Sequence, residues 1–467
     1  MKFSKISPSH IASFQAIVGE EYVLFDAASL TDYSQDETED LKFLPDVVVK
    51  PNTAEQISEI LKICNQELLP LTPRGAGTGL SGGALPVFGG VILSTERLNK
   101  IIEIDERNLQ ATVEPGVITQ VFQETVIEKG LFYPPDPSSR GSCFLGGNLA
   151  ESAGGPRAVK YGVTKEYVLN IQIVLTTGEI LWTGANVLKN STGYNLTQLI
   201  VGSEGTLGVI TKIVFKLLPY PKKNVVMLVP FASATKACEA VSAVFRAGVI
   251  PSSMEFMERD AIDWALKYVS GISISIKDSI QAHLLVEVDG NDLDAMMKDV
   301  ERISEVMEKH ECDEILFADA EEQKQNLWRM RRSVAEAVKS HSVYKEEDTV
   351  VPRAELPKLL AGVKAIGKKY GFKSVCYGHA GDGNLHVNII KAEVSDEKWT
   401  TEIPKAIREI FTLCKELKGT LSGEHGIGWV QKNYMDIVFH PKAIELQKEI
   451  KKIFDPNGIL NPGKMFP

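Results

Sequence analysis

Three glycine-dense loops, each set among short apolar strands, most constrain the fold of this 467-residue chain. They span residues 73–84, 134–148 and 202–211, where helical periodicity is rare. A glycine beside a strand lets another backbone or a ligand approach closely, because it carries no side chain. Three such loops in one half of a chain predict a large cofactor that lies against main-chain atoms.

The first loop contains Gly77, Gly79 and Gly82 in the GxGxxG spacing of dinucleotide-binding folds. In those folds the pattern opens a helix whose N-terminus holds the pyrophosphate. Here residues 85–90 read Leu-Pro-Val-Phe-Gly-Gly, and a strand follows. We therefore expect a loop whose NH groups surround a diphosphate directly. A mobile glycine linker stays open as the alternative.

Length and composition narrow the class of protein. A chain this long exceeds one ordinary core, so two or more domains are expected. A boundary is predicted at residues 219–224, with long amphipathic helices beyond it, two of them around 320–340 and 395–417. The net charge of −10, without basic runs, argues against a nucleic-acid partner. No two of the six cysteines form a CxxC pair, which argues against an iron–sulfur or structural zinc module.

Two helices near the N-terminus are predicted from their caps. Ser7 followed by Pro8 is typical of a helix start, and Thr53 with Gln56 has capping-box spacing. The N-terminus has no secretory signal pattern, and no stretch reaches 18 uncharged apolar residues. These observations predict a cytoplasmic protein.

Two histidine segments predict a metal site. His379 and His386 flank a Gly-Asp-Gly turn signal, so a hairpin would place them side by side. Glu424 and His425 lie in a second, glycine-flanked segment. Two histidines and one carboxylate make a three-ligand site for a divalent metal, with zinc or manganese favoured. Glycines that only shape turns, with histidines that cap them, remain the alternative from spacing alone.

Together these motifs resemble the flavoproteins of the vanillyl-alcohol oxidase type. Within that type the chain is similar to the branch of D-lactate dehydrogenase, the glycolate oxidase flavin subunit and D-2-hydroxyglutarate dehydrogenase. The resemblance covers the chain from about residue 40 to the end. It implies an α+β fold: a two-subdomain FAD-binding domain of the p-cresol methylhydroxylase type at 1–220, its core about 41–220. A cap domain with an antiparallel sheet follows at 221–467, and its tail returns to the flavin.

The resemblance also implies which residues contact FAD. The first loop would embrace the pyrophosphate, the second would follow the ribityl chain and isoalloxazine, and the third would hold the adenine side and main-chain contacts of the flavin. The implied residues are Arg74, Gly75, Gly77, Thr78, Gly79, Ser81, Gly82, Pro137, Ser138, Ser142, Gly146, Gly147, Asn148, Glu204, Gly205, Gly208, Ile210 and Asn461. The first loop lacks the histidine that attaches FAD covalently in some relatives, and Cys143 is best interpreted as a small loop side chain, so FAD is expected to be non-covalent.

The same resemblance assigns the chemistry. His379, His386 and Glu424 would be metal ligands and His425 the general base. Arg331 would bind the substrate carboxylate, which a guanidinium can grip with two parallel hydrogen bonds. Asn388 and His425 would also contact the substrate. The expected reaction is the oxidation of a D-2-hydroxy acid to its 2-oxo acid.

Departures from the family pattern bear on the substrate. Relatives that accept a second carboxylate carry a threonine where this chain has Ala335, and a lysine that by count matches either Lys345 or Glu346. D-lactate or glycolate is therefore favoured over D-2-hydroxyglutarate. A transferase similar to alkyl-glycerone-phosphate synthase and a non-catalytic electron-transfer subunit are the rival functions.

The expected partners are a small substrate and an external electron acceptor. A quinone, a cytochrome, an electron-transferring flavoprotein or a separate iron–sulfur subunit would serve as acceptor. Peripheral association with the inner membrane and a homodimer are both compatible with the sequence.

Overall fold

The computed structural model describes residues 3–272, 274–318 and 320–467. Its strands are β1 Val23–Leu24, β2 Val47–Val49, β3 Leu71–Arg74, β4 Val91–Ser94, β5 Ile101–Asp105, β6 Gln110–Val113, β7 Leu131–Phe132, β8 Val168–Val174, β9 Ile180–Trp182, β10 Val209–Lys216, β11 Leu218–Pro219, β12 Lys223–Phe231, β13 Ser253–Glu258, β14 Ala282–Gly290, β15 Leu316–Ala318, β16 Tyr344–Val350, β17 Lys373–Gly378 and β18 Asn384–Ile390.

The helices connect and cover these strands. They are α1 Pro8–Val18, α2 Ala27–Asp32, α3 Ala54–Gln66, α4 Thr119–Glu128, α5 Leu145–Glu151, α6 Ala158–Tyr161, α7 Leu196–Ile200, α8 Ala234–Arg246, α9 Arg259–Tyr268, α10 Leu293–Lys309, α11 Glu321–Arg332, α12 Val334–His341, α13 Leu356–Tyr370, α14 Asp396–Thr401, α15 Ile403–Glu416, α16 Met435–Val438 and α17 Pro441–Phe454. Within the described ranges, no helix is long and apolar enough to cross a membrane.

The two capped helices are confirmed. Ser7 accepts a hydrogen bond from the His10 backbone NH at the start of α1, where Pro8 is the first residue. At α3 the Thr53 hydroxyl accepts from the Gln56 NH at 3.1 Å. Ile57, Ile60, Leu61 and Cys64, on one face of α3, are fully buried. Such caps satisfy NH groups that a helix start leaves without intrahelical partners.

Unit 1 comprises the chain up to Gly154, Val163–Tyr220 and Glu424–Pro467. It contains a four-stranded sheet of order β1-β2-β4-β3, in which β2, β4 and β3 are parallel, and a five-stranded antiparallel sheet of order β5-β6-β10-β8-β9. Leu460 bridges to Leu71 beside the edge strand β3. Ile459 and Leu460 are fully buried in the same core as α3 and β4.

Unit 2 comprises Gly155–Gly162 and Pro221–Gly423. Its seven strands, in the order β15-β12-β14-β13-β17-β18-β16, pair antiparallel throughout. On one face, Met257, Leu285 and Tyr377 share a core cluster with Leu327 and Trp328 of α11. Strand alternation fixes which side chains reach that face.

The predicted boundary after residue 220 coincides with the change of unit between Tyr220 and Pro221, but two segments belong to the other unit from the one predicted. The segment 424–467 belongs to unit 1 instead of the second domain, because its apolar residues complete the unit 1 core. Conversely, residues 155–162 belong to unit 2, where Lys160 and Tyr161 both contact the buried carboxylate of Asp289 at 2.6–2.9 Å.

Candidate active site

The first glycine loop of unit 1 begins where β3 ends at Arg74. The buried Arg74 guanidinium donates from Nη2 to the Gln35 carbonyl at 2.8 Å, and its Nη1 has no hydrogen-bond partner among the described residues. Gly77 has a φ of +73°, and a Cβ there would clash with that guanidinium. A buried donor without a partner is rare in native proteins, so Arg74 has one hydrogen bond to offer a ligand.

The second glycine loop, predicted over 134–148, is partly helical. Gly146, Gly147 and Asn148 form the first turn of α5, and Pro137, Ser138 and Ser142 lie in the preceding loop. The buried Asn148 carboxamide donates to the Thr119 hydroxyl at 2.6 Å. Cys143 is also buried, with its sulfur 3.3 Å from that hydroxyl, so it packs as a small side chain.

The third glycine loop is tied to the C-terminal segment. Glu204 has a φ of +51°, and its carboxylate accepts hydrogen bonds from the Ile427 NH at 2.8 Å and the Gly428 NH at 2.6 Å. The Asn461 amide donates to the Glu204 carbonyl at 2.8 Å and to the Gly83 carbonyl at 3.0 Å. Asn461 therefore links the first and third loops. The side chain and the main chain of Glu204 are both engaged within the protein, because its NH also donates to the Ala150 carbonyl at 2.9 Å.

The loops leave a cradle that a cofactor can fit. A Cβ on Gly79 or on Gly147 would meet no atom within 4 Å, and neither residue has a positive φ. A Cβ on Gly75 would lie 3.8 Å from the Gly147 Cα, so the first loop runs beside the start of α5. Side chains at Gly79 and Gly147 would occupy open space instead of protein. This fits a cofactor that lies against main-chain atoms.

A buried cluster of charged groups supports these loops in unit 1. Burial raises the pKa of Glu204 to about 6, although the two backbone NH donors oppose the rise. Burial and the nearby Glu204 charge raise the pKa of Glu151 well above its usual range. Burial lowers the pKa of Lys464 to about 7, and three carboxylates oppose that change. The Lys464 ammonium donates to the Leu85 carbonyl at 2.6 Å.

In unit 2 the predicted hairpin is confirmed. Strands β17 and β18 pair antiparallel around the turn Ala380–Asp382, and His386 lies opposite Tyr377. The buried rings of His379 and His386 have centroids 5.4 Å apart at 82°. The structure thus brings these two histidines together.

Carboxylates face the Nδ1 atoms of both histidines. His379 Nδ1 lies 2.9 and 3.0 Å from the two Glu255 oxygens, and His386 Nδ1 lies 3.4 Å from Glu346 Oε1 and 3.8 Å from Asp348 Oδ1. Metal-bound histidines commonly use this arrangement: Nδ1–H donates to a carboxylate, and Nε2 binds the metal. The donor set therefore fits a divalent metal.

Arg331 and Asn388 lie on the same buried face as the hairpin histidines. Arg331 Nη2 is 2.7 Å from Glu255 Oε2, and its guanidinium lies 5.2 Å from the Tyr377 ring centroid. Arg331 Nε and both polar atoms of the Asn388 carboxamide have no hydrogen-bond partner among the described residues. Burial, followed by the Glu346 charge, raises the pKa of Tyr377 well above its usual value. The face thus offers unsatisfied donors and acceptors to a small polar ligand.

Glu424 and His425 open the last segment of unit 1. Just before them, in unit 2, Asp348 accepts hydrogen bonds from the Ser422 hydroxyl at 2.7 Å and the Gly423 NH at 2.8 Å. Just after them, Glu204 holds Ile427 and Gly428. A Cβ on Gly154 would lie 2.9 Å from Glu424 Oε2. The backbone is therefore anchored on both sides of this pair.

Sequence reasoning missed Glu255, Asp348 and Lys464, and it counted Glu346 only as an alternative to Lys345. Glu255 lies in an ordinary strand pattern, Ser-Met-Glu-Phe-Met-Glu. Its signal was a charged residue in a strand that is otherwise buried, since a buried carboxylate requires partners.

Comparison with known proteins agrees with this organisation. The model of the FAD-linked oxidases, C-terminal domain, matches residues 220–465, and that of the FAD binding domain matches residues 45–184. The chain belongs to the FAD-linked oxidases. It is accordingly an oxidoreductase that binds FAD, as the resemblance implied.

Three relatives match over nearly their whole length. The glycolate oxidase subunit GlcD of Bacillus subtilis is 39% identical over 93% of this chain and 92% of its own. A D-lactate dehydrogenase of Anaerostipes hadrus is 34% identical over 99% and 98%. A D-2-hydroxyglutarate dehydrogenase of Stutzerimonas stutzeri is 32% identical over 98% and 99%. The predicted family branch is confirmed.

The fold is shared with solved flavoproteins. The structure of p-cresol methylhydroxylase with substrate bound matches with a TM-score of 0.80 over 98% of this chain and 96% of that chain, at 20% identity. The predicted α+β fold of the p-cresol methylhydroxylase type is confirmed.

Proposed function

We propose that this protein oxidises a small D-2-hydroxy acid, with D-lactate or glycolate favoured, to the corresponding 2-oxo acid. The observation that carries the proposal is the buried polar face of unit 2, where Arg331 and Asn388 have unsatisfied hydrogen-bonding atoms beside two histidines. A carboxylate and an adjacent hydroxyl are the groups such a face would bind. The names of the three relatives support the same substrate class.

In this proposal each residue has one task. Arg331 binds the substrate carboxylate, Asn388 hydrogen-bonds the substrate, and His425 accepts the proton of the 2-hydroxyl as a general base. His379, His386 and Glu424 hold a divalent metal, zinc or manganese, whose Lewis acidity would lower the pKa of that hydroxyl. FAD, bound non-covalently, supplies the acceptor for the hydride that leaves C2.

The sheet register supports a substrate with one carboxylate. Glu346 lies opposite Asn388, so its side chain shares the face of the candidate site, whereas the neighbouring Lys345 points to the other face and its ammonium lies 5.6 Å from the Trp399 ring centroid. An anionic Glu346 would repel a second, distal carboxylate. D-2-hydroxyglutarate is therefore expected to be the poorer substrate.

Anaerobic flavin reduction tests the proposal. The purified protein should be yellow, acid precipitation should release all its FAD, and D-lactate or glycolate should bleach the flavin faster than L-lactate or D-2-hydroxyglutarate. A panel of D- and L-2-hydroxy acids measures the order by stopped flow. Preference for D-2-hydroxyglutarate would contradict the role of Glu346, and no bleaching by any 2-hydroxy acid would contradict the proposed function.

Replacing the general base and replacing a metal ligand should have different effects on metal content and on the rate of flavin reduction. His425→Ala should keep its metal and FAD but lose about 10²–10⁴-fold in the rate of flavin reduction, the usual contribution of a positioned general base. His386→Ala should bind metal more weakly and regain part of its rate with added zinc. Metal analysis and stopped-flow reduction distinguish them. If the purified His425→Ala protein contained no metal, His425 would have to be the metal ligand and Glu424 the base.

We further propose an external route for the electrons. The six cysteines include no CxxC pair for an iron–sulfur cluster in this chain. A quinone, a cytochrome, an electron-transferring flavoprotein or an iron–sulfur subunit would reoxidise the flavin, in the cytoplasm or at the inner membrane. Steady-state assays with each acceptor, after anaerobic reduction by D-lactate, would rank them.

A further inference from the structure

One buried carboxylate of unit 2 contacts two residues of the proposed site at once. Glu255, on β13, is fully buried. Its Oε2 lies 2.9 Å from His379 Nδ1 and 2.7 Å from Arg331 Nη2, and its Oε1 lies 3.0 Å from the same histidine nitrogen. Glu287, another buried carboxylate of this sheet, has a different partner and accepts from Trp328 Nε1 at 2.6 Å.

In both contacts of Glu255, the carboxylate is the acceptor and its partner is the donor. An ionised carboxylate only accepts, so the His379 nitrogen that faces it must carry the proton, and the lone pair of the neutral ring then lies on Nε2. The charge of Arg331 compensates the burial of Glu255, and Glu255 in turn holds the guanidinium at Nη2. Arg331 Nε has no hydrogen-bond partner among the described residues.

We propose that Glu255 is a positioning residue that orients a metal ligand and the substrate anchor together. This inference rests on the proposed function. Glu255 fixes the His379 ring so that Nε2 coordinates the metal, and it fixes Arg331 so that its remaining donors bind the substrate carboxylate. Metal affinity and substrate affinity then depend on the same side chain.

The test removes the negative charge of Glu255 while keeping the size and shape of its side chain. Glu255→Gln should weaken zinc binding about 10–100-fold, the usual cost of removing such a partner from a metal-bound histidine. Zinc affinity is measured by competition with a chromogenic chelator on the FAD-loaded protein, so it does not rely on activity. The KM for D-lactate should rise as well.

The matched control is Glu287→Gln, because Glu287 is a buried carboxylate of the same sheet bonded to Trp328. It should leave zinc affinity within about twofold of wild type. A cycle with Arg331→Met separates the second role: once Arg331 is absent, Glu255→Gln should raise KM no further, since interacting residues are non-additive.

Specific outcomes would overturn the inference. These are unchanged zinc affinity and KM in Glu255→Gln, or equal weakening of zinc affinity in Glu287→Gln. If Glu255→Gln does not fold, Glu255→Asp keeps the charge but shortens the reach, and it should weaken zinc binding measurably; unchanged affinity would again overturn the inference. A wild-type protein that neither binds zinc nor is reduced by D-lactate would instead refute the proposed function.

Discussion

Gly79 and Gly428, both in unit 1, require glycine for different reasons. A Cβ on Gly428 would clash with the Ser81 carbonyl oxygen, and its φ of +49° also disfavours a side chain. Gly428 is therefore needed by the protein itself. A Cβ on Gly79 meets no protein atom within 4 Å, so only a ligand would exclude a side chain there. Glycine is therefore needed for folding at position 428 and for ligand binding at position 79.

We expect Gly79→Leu to fold but to bind FAD poorly, because the added side chain fills the cradle without displacing protein atoms. Flavin content after purification and the apoprotein melting temperature measure the two effects. Gly248→Asn is the control: a Cβ there is equally unobstructed, and Asn tolerates the positive φ of +85°. A yellow Gly79→Leu protein with full FAD content would contradict the assignment of this loop.

His283 gives a residue-scale prediction for pH. Burial, aided by the Arg259 charge, lowers its pKa to about 4. The unfolded chain takes up this proton near pH 6.5, before the folded chain does, so stability is lost as pH falls from 6.5 towards 4, by up to about 3 kcal/mol. His283→Leu should flatten the fall in melting temperature between pH 7 and 5. His440→Asn, which replaces an exposed helix-capping histidine, should not flatten it.

At the scale of elements, the β17–β18 hairpin depends on one glycine. Gly383 has a φ of +85°, and a Cβ would clash with the Val351 carbonyl oxygen. Gly383→Ala should therefore lower the melting temperature and displace His379 and His386, with loss of bound metal. Gly371→Ala shares the backbone strain, at a φ of +76°, but has no atom within 4 Å of its Cβ. Equal losses in both variants would show that strain alone matters.

Contacts between residues that are close in sequence could be predicted, whereas contacts between residues far apart in sequence could not. The hairpin histidines are close in sequence and share one turn, so their proximity was predictable. Glu255 and His379 are 124 positions apart and meet only through the pairing of β13 with β17. No local pattern encodes such a contact.

Helix lengths show the same limit. One helix was predicted over about 320–340, but the structure divides it at Ser333 into α11 and α12. Another, predicted over about 395–417, divides at Glu402, because α14 ends at Thr401 and α15 begins at Ile403, with Pro404 in its first turn. The apolar period continues across the break at Ser333, because α11 and α12 cover the same core. Periodicity therefore identified the buried faces but not the ends.

For the whole molecule, the C-terminal segment is a structural part of unit 1. A chain that ends at Gly423 should lose FAD, because it lacks Asn461, Lys464 and the buried Ile459 and Leu460. Flavin absorbance and limited proteolysis measure the effect, with cuts expected in unit 1 and a protected unit 2 fragment near 221–423. Co-expression of residues 424–467 as a separate peptide should restore yellow colour. A yellow, protected truncated protein would contradict this dependence.

The interrupted path of unit 1 reverses the usual order of folding on the ribosome. Domains generally fold as they emerge, N-terminal ones first. Here the unit 2 sheet is complete once residue 423 has emerged, whereas the edge of β3 that Leu460 covers stays open until the last segment follows. At typical synthesis rates, residues 221–467 take roughly 10–50 s. During that interval an unpaired apolar strand edge is exposed to aggregation, so slow translation should reduce the soluble yield.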